Sequence, residues 1–481
     1  YPRVEPHHWQ GFRRDLAFSP IETLTEEDHA LHTLPRRTQS HNLTNGLPRG
    51  NPGEAFLGPS RSFYCGRFRY QLALRWMRAA ERRPIWEYGA QSEVLLELHY
   101  QDLSVYSTTR KLPLSEEDGP IPTPQSLLDL IDPILARRDP NILPLVEGDG
   151  SAGDPASLGI AVLVARQLQP TNYRKLAEGQ LDWSMNHVPR CPEGAISQRN
   201  DEVQFWADFM YMLPPFLAYY GAATSNITLL QSAYDQVRLY RQKLQTSSDT
   251  KLWSHIIGGS YEDRLYWSTG TLNPVILAIA GKEKLTRWAE SGNGWAAAGM
   301  MRVYATFNNL RDPGLFAQTE TWRHDLAEWV LEITTAAFTH QQLDTELIPN
   351  YMLTTDPKRN YPDCSGTALI ASAAYRLASL EPSYVSQLPM NAMAKSRIAI
   401  FSKYTNITTG AVGPVVDPMD GTLKKLSTVL RLRSVMSARR PSSGTPPLRR
   451  LELVQLSSAI SHLASQHIFH ELSFWVVVFT N

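Results

Sequence analysis

The chain has 481 residues, 42% hydrophobic and 20% charged, which is the composition of a folded globular protein rather than a disordered one. Lys plus Arg and Asp plus Glu both total 47, so net charge gives no argument for binding nucleic acid or an anionic membrane. No apolar run is long enough to cross a bilayer. Neither nucleic acid nor a membrane is therefore expected as a partner.

The elements predicted along the chain are almost all helices, of two alternating kinds. Some segments are apolar on nearly every side and predict buried helices, whereas others have one apolar stripe and predict half-exposed helices. The buried kind is predicted at 156–166, 215–221, 295–307 and 366–380, and the amphipathic kind at 173–188, 228–244, 315–338 and 390–403. Such alternation indicates hairpins of one inner and one outer helix.

Each hairpin must bury its apolar face against its neighbours, and a closed ring of hairpins achieves this. A superhelical solenoid is the rival, but the repeats lack a fixed short period.

Polar and aromatic residues gather where the inner helices are predicted to begin. Asp154, Asp208, Asn293 and Asp363 each precede or open one of them. In a ring those ends meet at one mouth, where free N–H groups and positive dipole ends are also presented. The plainer interpretation is that these residues are ordinary helix caps. Tryptophans near these starts would suit the stacking of sugar rings, although tryptophan is also common in protein cores; they are Trp86, Trp206, Trp267, Trp288 and Trp295.

Asp208 is the strongest candidate for chemistry. It is the one carboxylate in an aromatic and apolar stretch, FWADFMYML, that begins at Phe205 and includes Trp206. Pro214-Pro215 is predicted to open the helix that follows, because proline suits a first helical turn. A carboxylate desolvated by aromatic neighbours can hold or release a proton near neutral pH. A capping or hydrogen-bonded core aspartate is the alternative.

Six stretches within about 85–415 carry a family likeness, at 86–96, 154–165, 194–221, 252–270, 293–302 and 363–377. In this order they resemble the six-hairpin glycosidases, in particular glycoside hydrolase family 105, the unsaturated rhamnogalacturonyl hydrolases, and their fungal relatives. The resemblance implies an all-α (α/α)6 toroid that needs no metal or other cofactor, and in this chain we expect the toroid to be incomplete at its C-terminus. It also implies hydrolysis of pectin-derived oligosaccharides that end in a 4,5-unsaturated uronic acid, by hydration of the C4=C5 double bond.

The resemblance also implies roles for seven residues. By the W-x-D motif, Asp208 is the aspartate that protonates the double bond and activates water, with Trp206 beside it. The other implied substrate-binding residues are Asp154, His255, Trp267, Asn293 and Trp295. His255 has an equally weighted alternative as a satisfied helix histidine. The expected domains are an unplaced segment 1–80, a toroid over 81–418 and a basic tail 419–481.

The sequence departs from this family in three places. The turn W-x-x-G-N-G-W is interrupted by residues 271–292, and deleting them restores WSTGNGW. We interpret this insert as translated intron sequence or a lineage insertion at the mouth of the site. Thr269 stands where many members have arginine, and the tail lacks the closing helical pattern. These departures favour the alternative of an inactivated toroid that binds sugars without cleaving them.

The compartment is predicted from the substrate class and the sequons. Asn42, Asn226 and Asn406 each begin an N-x-T sequon. Together with a pectin-type substrate they predict an extracellular protein, with a cytoplasmic enzyme as the alternative. A monomer is expected. The chain starts at Tyr1 without a methionine, so we expect either a removed leader or a fragment.

Overall fold

The computed structural model describes residues 84–268, 292–357, 359–406, 412–416 and 423–424. The helices in these ranges are α1 Ile85–His99, α2 Gln125–Leu135, α3 Gly159–Leu168, α4 Pro170–Asp182, α5 Phe209–Ala223, α6 Ile227–Leu244, α7 Asn293–Asn308, α8 Pro313–Gln318, α9 Glu320–Phe338, α10 Cys364–Leu380 and α11 Met390–Lys403. A 3₁₀ turn, Asp154–Leu158, leads into α3, and a π turn, Trp183–His187, ends α4.

The described strands are short and form three antiparallel pairs. Gln204–Trp206 (β1) pairs with Ile256–Gly258 (β2), so that Trp206 lies opposite Ile256. Tyr266–Trp267 (β3) pairs with Tyr351–Met352 (β4). The last pair, Val415–Val416 (β5) with Leu423–Lys424 (β6), lies beyond α11. The short sheets therefore join loops to one another in a protein that is otherwise helical.

The helices alternate between an inner and an outer position, as predicted. All fourteen residues from Phe209 to Ala222 of α5 are buried, whereas α6 buries one face. Inner helix α5 packs on α6 and α7, and α7 packs on α10. Arg376 of α10 donates to Glu97 of α1 over 2.7 Å, which joins the last described inner helix to the first. The described residues thus contain five helical hairpins, and this bond joins the inner helices of the first and the last of them.

The proline prediction for the central helix was wrong, because α5 begins at Phe209 and Pro214-Pro215 lies inside it. A proline has no N–H, so Pro214 leaves the carbonyl of Met210 without its usual helical donor. That carbonyl lies against Gly299 of α7, where an added Cβ would come within 2.0 Å of the oxygen. Tight packing between two inner helices therefore holds together a turn that local propensity would break.

The helix predicted over 315–338 is instead divided at Thr319 into α8 and α9. The carbonyl of Phe316 accepts from the Thr319 hydroxyl at 3.0 Å and from the Arg323 guanidinium at 3.1 Å. It thereby leaves the regular helical ladder, in which it would accept from the N–H of Glu320. Side-chain competition for one carbonyl explains the break.

The segment 1–80, residues 271–291 of the predicted insert and nearly all of the tail 419–481 lie outside the described residues. Within the described ranges, no helix combines the length and apolarity needed to cross a membrane. The same ranges contain no cluster of three or more His, Cys, Asp or Glu side chains arranged to hold a metal ion.

Candidate active site

The beginnings of four inner helices converge on a small apolar cluster. Its members are Trp86 and Ala90 of α1, Tyr211 and Met212 of α5, Trp295 and Ala298 of α7, and Leu369 of α10. Trp295 is at its centre, with its ring centroid 4.4 Å from that of Tyr211 and 6.1 Å from that of Trp86. The inner helices therefore present their N-terminal ends to one place, as the ring prediction requires.

Asp208 occupies the N-cap position of α5, but its side chain makes no capping hydrogen bond. Asp363 provides the contrast at the start of α10, because its carboxylate accepts from the backbone N–H groups of Ser365 and Gly366. The capping interpretation is thus right for Asp363 and wrong for Asp208. The Asp208 side chain is fully buried and lies on His255, with 3.7 Å between Oδ2 and Nε2.

His255 lies at a bend directly before β2, so its alternative as a helix histidine is wrong. Its carbonyl accepts from the N–H of Ala207 at 3.0 Å, which extends the β1–β2 pairing up to Asp208. The imidazole also meets the edge of the Trp206 ring, with 5.9 Å between centroids. The backbone pairing therefore brings together three predicted site residues, Trp206, Asp208 and His255.

Two residues that the sequence did not indicate continue this chain of contacts. Asp263 Oδ2 lies 3.1 Å from His255 Nδ1 and accepts from the Tyr351 hydroxyl at 2.8 Å. Burial by itself raises the pKa of Asp263, but the hydrogen bonds and charge of His255, with help from Tyr351, hold that pKa below its ordinary value. Asp263 therefore stays ionised, and it lies on the Nδ1 side of the His255 ring. We call Asp208, His255, Asp263 and Tyr351 the carboxylate–histidine chain.

Gln204 fixes the orientation of the Trp206 ring. Its Oε1 accepts from the indole Nε1–H at 2.6 Å, while its Nε2 donates to the carbonyls of Gly258 and Tyr261. The amide thus ties the ring to the loop that leads to Asp263. Sequence reasoning missed Gln204, although its place two residues before Trp206 on a short strand puts both side chains on one face.

Asp154 lies in the 3₁₀ turn before α3 and has its own polar surroundings. Its Oδ1 accepts from the Ser151 hydroxyl at 2.5 Å and from the Gln198 amide at 3.4 Å. Burial raises the pKa of Asp154 to about 6, against the lowering effects of these two hydrogen bonds and of Arg199. Gln198 also donates its backbone N–H to the carbonyl of Gln204. Asp154 is therefore linked to the segment that carries Trp206.

Asn293 and Trp267 have backbone roles in the structure. The Asn293 amide accepts from the N–H of Trp253 at 2.8 Å and donates to its carbonyl at 3.0 Å, which anchors the segment carrying His255. Trp267 pairs through its backbone with Tyr351, and its side chain lies outside the described residues. Contact of either residue with substrate stays a prediction.

Described residues on the two sides of the predicted insert lie next to each other. The N–H of Gly294 donates to the carbonyl of Ser268 at 3.3 Å. If residues 271–292 were removed, Gly294 would become the fourth residue after Ser268, which is the spacing of a helical turn. The chain on either side is thus placed as the uninterrupted W-x-x-G-N-G-W turn requires.

Comparison with known proteins decides the family. The model of glycosyl hydrolase family 88 matches residues 154–421, more than half of the chain. The chain belongs to glycosyl hydrolase family 88. All seven predicted site residues lie inside the matched range, and the suspected superfamily is confirmed. No curated protein sequence matches the chain.

Solved structures share the fold of this family 88 protein. One, a possible member of family 105 from Salmonella enterica serovar Paratyphi A, gives a TM-score of 0.55 at 12% identity, over 89% of this chain and 96% of that chain. A family 105 hydrolase from C. acetobutylicum gives 0.51 at 14% identity, over 73% and 87%. A family 88 hydrolase from Bacteroides vulgatus gives 0.50 at 13% identity, over 76% and 94%. The six-hairpin glycosidase toroid is therefore the fold, and the protein is a glycoside hydrolase.

The site of this family 88 protein contains one imidazole between two buried carboxylates. If both acids were ionised beside a neutral histidine, two like charges would lie close together at buried positions, which is costly. The arrangement therefore favours keeping a proton on the Asp208–His255 pair. A proton held at a buried carboxyl beside aromatic rings is what general acid catalysis on a sugar requires.

Proposed function

We propose that this glycoside hydrolase acts on oligosaccharides derived from rhamnogalacturonan that end in a 4,5-unsaturated uronic acid. Asp208 protonates C4 of the double bond and water adds at C5. The hydrated sugar then rearranges, and the glycosidic bond opens. The observation that carries the proposal is the placement of the W-x-D aspartate on His255, with Trp206 against the imidazole.

The aromatic cluster supports a sugar substrate. Trp86, Tyr211 and Trp295 meet edge to face where the inner helices begin, and such rings provide faces and edges on which a pyranose can stack. Asp154, held by Ser151 and Gln198, is the second carboxylate of the proposed site. Its raised pKa suits a group that shares a hydrogen bond with a sugar hydroxyl near neutral pH.

Asp208→Asn tests the proposal. The wild type should remove the conjugated double bond of an unsaturated rhamnogalacturonyl disaccharide, measured as loss of ultraviolet absorbance. The variant should fold normally and lose about 10²-fold or more in kcat, because the acid and base are removed together. Near-normal turnover by the variant would rule out Asp208 as the catalytic acid.

Asp363→Asn is the matched control, because Asp363 is a buried aspartate at the start of another inner helix. It caps its helix, so its replacement should cost about 1 kcal/mol of stability or less and leave kcat close to that of the wild type. Unsaturated glucuronyl disaccharides should be assayed beside the rhamnogalacturonyl substrate. Faster turnover of the glucuronyl compounds would replace the proposed sugar without removing the mechanism.

A toroid that binds sugars without cleaving them is the second candidate. The observation that favours it is the full burial of both Asp208 and His255. Calorimetric binding of the unsaturated disaccharide by wild-type protein that shows no turnover would establish this candidate and exclude the first.

We further propose that the protein is extracellular and carries a glycan at Asn226. Asn226 caps α6 through Oδ1, which accepts from the N–H of Leu229, so its amide nitrogen is not the capping atom. Mass spectrometry of the secreted product should show a glycan at this position. An unmodified Asn226 in folded, secreted protein would contradict the modification.

A further inference from the structure

The loop after β2 holds a carboxylate, that of Asp263, that lies against the imidazole of His255. Asp263 is buried, and its Oδ2 lies 3.1 Å from His255 Nδ1. The loop itself is tied back to the first residue of β2: the N–H of Asp263 donates to the carbonyl of Ile256, and the N–H of Ile256 donates to that of Asp263. The carboxylate is therefore held at a fixed place behind the imidazole.

Tyr351 braces the same oxygen from the other side. Its hydroxyl donates to Asp263 Oδ2 at 2.8 Å, and its backbone pairs with Trp267 in the β3–β4 sheet. Burial and the charge of Asp263 hold the pKa of Tyr351 well above its ordinary value, so the hydroxyl keeps its proton and donates. Oδ2 of Asp263 thus lies against the Tyr351 hydroxyl, which donates to it, and against Nδ1 of His255, which can donate to it when that nitrogen carries a proton.

We propose, building on the function proposed above, that Asp263 is a positioning residue that fixes His255 with Nδ1–H directed at Asp263 and Nε2 directed at Asp208. A neutral imidazole carries a single ring proton, and a hydrogen bond at one nitrogen decides which nitrogen holds it. With Nδ1 protonated, Nε2 presents its lone pair to the carboxyl of Asp208. One proton can then pass between Asp208 Oδ2 and His255 Nε2, and no other bond changes.

The distance between these two atoms fits that role. At 3.7 Å, Oδ2 and Nε2 are in ion-pair contact, somewhat beyond a hydrogen bond of about 2.7–3.2 Å. Catalytic hydrogen bonds commonly shorten only when substrate is bound. Asp263 and the Trp206 ring restrain the imidazole from two directions, so the movement that remains is mainly toward Asp208.

The first test needs no activity. Nitrogen-15 shifts of the His255 ring, assigned by comparison with His255→Gln, report which nitrogen carries the proton. The wild type should show Nδ1–H wherever the ring is neutral. In Asp263→Asn the amide can donate to Nδ1, and the proton should move to Nε2. A wild-type ring protonated at Nε2 alone would overturn the proposal, even if Asp263→Asn failed to fold.

The second test measures turnover of the unsaturated disaccharide. Asp263→Asn should lower kcat by about 10²-fold, because the histidine then presents the wrong tautomer to Asp208. KM should change by about threefold or less, because Asp263 does not touch substrate. Tyr351→Phe keeps the carboxylate and should lower kcat only a few-fold. A wild-type kcat in Asp263→Asn would overturn the proposal.

Glu262→Gln is the control for the loop. Glu262 neighbours Asp263, but its carboxylate accepts from the N–H of Gly258 and from Arg264, away from His255. It should leave both kcat and the tautomer unchanged. Equal losses of kcat in both variants would assign the effect to the loop and overturn the positioning role. If the wild type cleaves no unsaturated substrate, the proposed function fails, but the ring shifts still decide the role of Asp263.

Discussion

Two groups of buried charges lie among the inner helices, and they differ in balance. The carboxylate–histidine chain has two carboxylates and one histidine. The second group, here called the buried ion cluster, has two arginines and two glutamates: Arg302 of α7 bonds Glu93 and Glu97 of α1, and Arg376 of α10 bonds Glu97. The buried ion cluster has one arginine for each glutamate, whereas the carboxylate–histidine chain keeps an excess of acid even when it holds one proton.

This difference in balance separates a structural role from a chemical one. Burial by itself lowers the pKa of Arg302, yet Glu93, Tyr211 and Glu97 hold that pKa well above its ordinary value. Arg302 thus stays charged and ties α7 to α1. In the carboxylate–histidine chain, by contrast, one proton changes the charge of the site. Burial raises the pKa of Glu93 to about 7 even beside Arg302. The contrast between the two groups is therefore the number of cations, which is one arginine for each glutamate in the buried ion cluster and one histidine for two carboxylates in the carboxylate–histidine chain.

Arg302→Met should lower stability more than the other changes predicted below. A small loss would contradict the contrast between the buried ion cluster and the carboxylate–histidine chain. The substitution leaves the buried carboxylate of Glu93 without its cation and Glu97 with Arg376 alone, which should cost about 3–5 kcal/mol of unfolding free energy. Denaturant unfolding measures the loss. Arg174→Met, at the exposed pair with Glu178, is the matched control and should change stability little. An equal loss in both variants would mean that the buried ion cluster has no special structural role.

Asp154→Asn should have the next largest effect, and its sign depends on pH. Because the pKa of Asp154 is raised from 3.8 to about 6 in the folded protein, the folded state binds an extra proton between these values. The stability that this proton provides is present below the unfolded pKa and is lost as the pH rises through the folded one. The unfolding free energy of the wild type relative to Asp154→Asn should thus fall by up to about 3 kcal/mol from pH 3 to pH 7.

Ser151→Ala sharpens the same prediction. The Ser151 hydroxyl lowers the pKa of Asp154, so its removal should move the pH window of the stability change upward. Stability curves of wild type and Asp154→Asn that stay parallel across this pH range would show that the carboxyl of Asp154 is ionised in the fold without penalty.

Deletion of residues 271–292 should have the smallest effect on stability, and a several-fold gain in kcat/KM is expected. The hydrogen bond between Ser268 and Gly294 shows that the flanking chain is already adjacent. The shortened turn lies beside Tyr351 of the carboxylate–histidine chain, at the start of α7, whereas Arg302 lies further along that helix. The unfolding free energy should therefore not fall. Steady-state kinetics and yield of soluble protein check the prediction. A shortened protein that does not fold, beside an active full chain, would make the insert structural.

Much of the architecture could be predicted from periodicity alone. The predicted helix over 390–403 matches α11 to the residue, and the predicted starts near Asp154 and Asn293 lie within two residues of the observed ones. The predictions failed where local rules were overridden. Pro214-Pro215 lies inside α5 because α7 packs closely on the turn, and α9 starts late because two side chains compete for the carbonyl of Phe316.

The candidate site could be predicted only in part. Asp208 and His255 carried signals of their own, an isolated acid among aromatics and a histidine in a motif. Asp263 lies only eight residues after His255, but an acid in a polar loop is too common to single out. Tyr351 is 88 residues beyond Asp263, and nothing local connects the two.

By itself the sequence determined that the chain folds as alternating inner and outer helices, because the period of apolar residues fixes which face each helix must bury. It also determined that an aspartate precedes a fully apolar helix. Only the tertiary structure decided that Asp208 does not cap that helix while Asp363 caps its own. It also decided that the histidine lies between two carboxylates. Those contacts join separate loops, and their geometry depends on how the ring of helices brings the loops together.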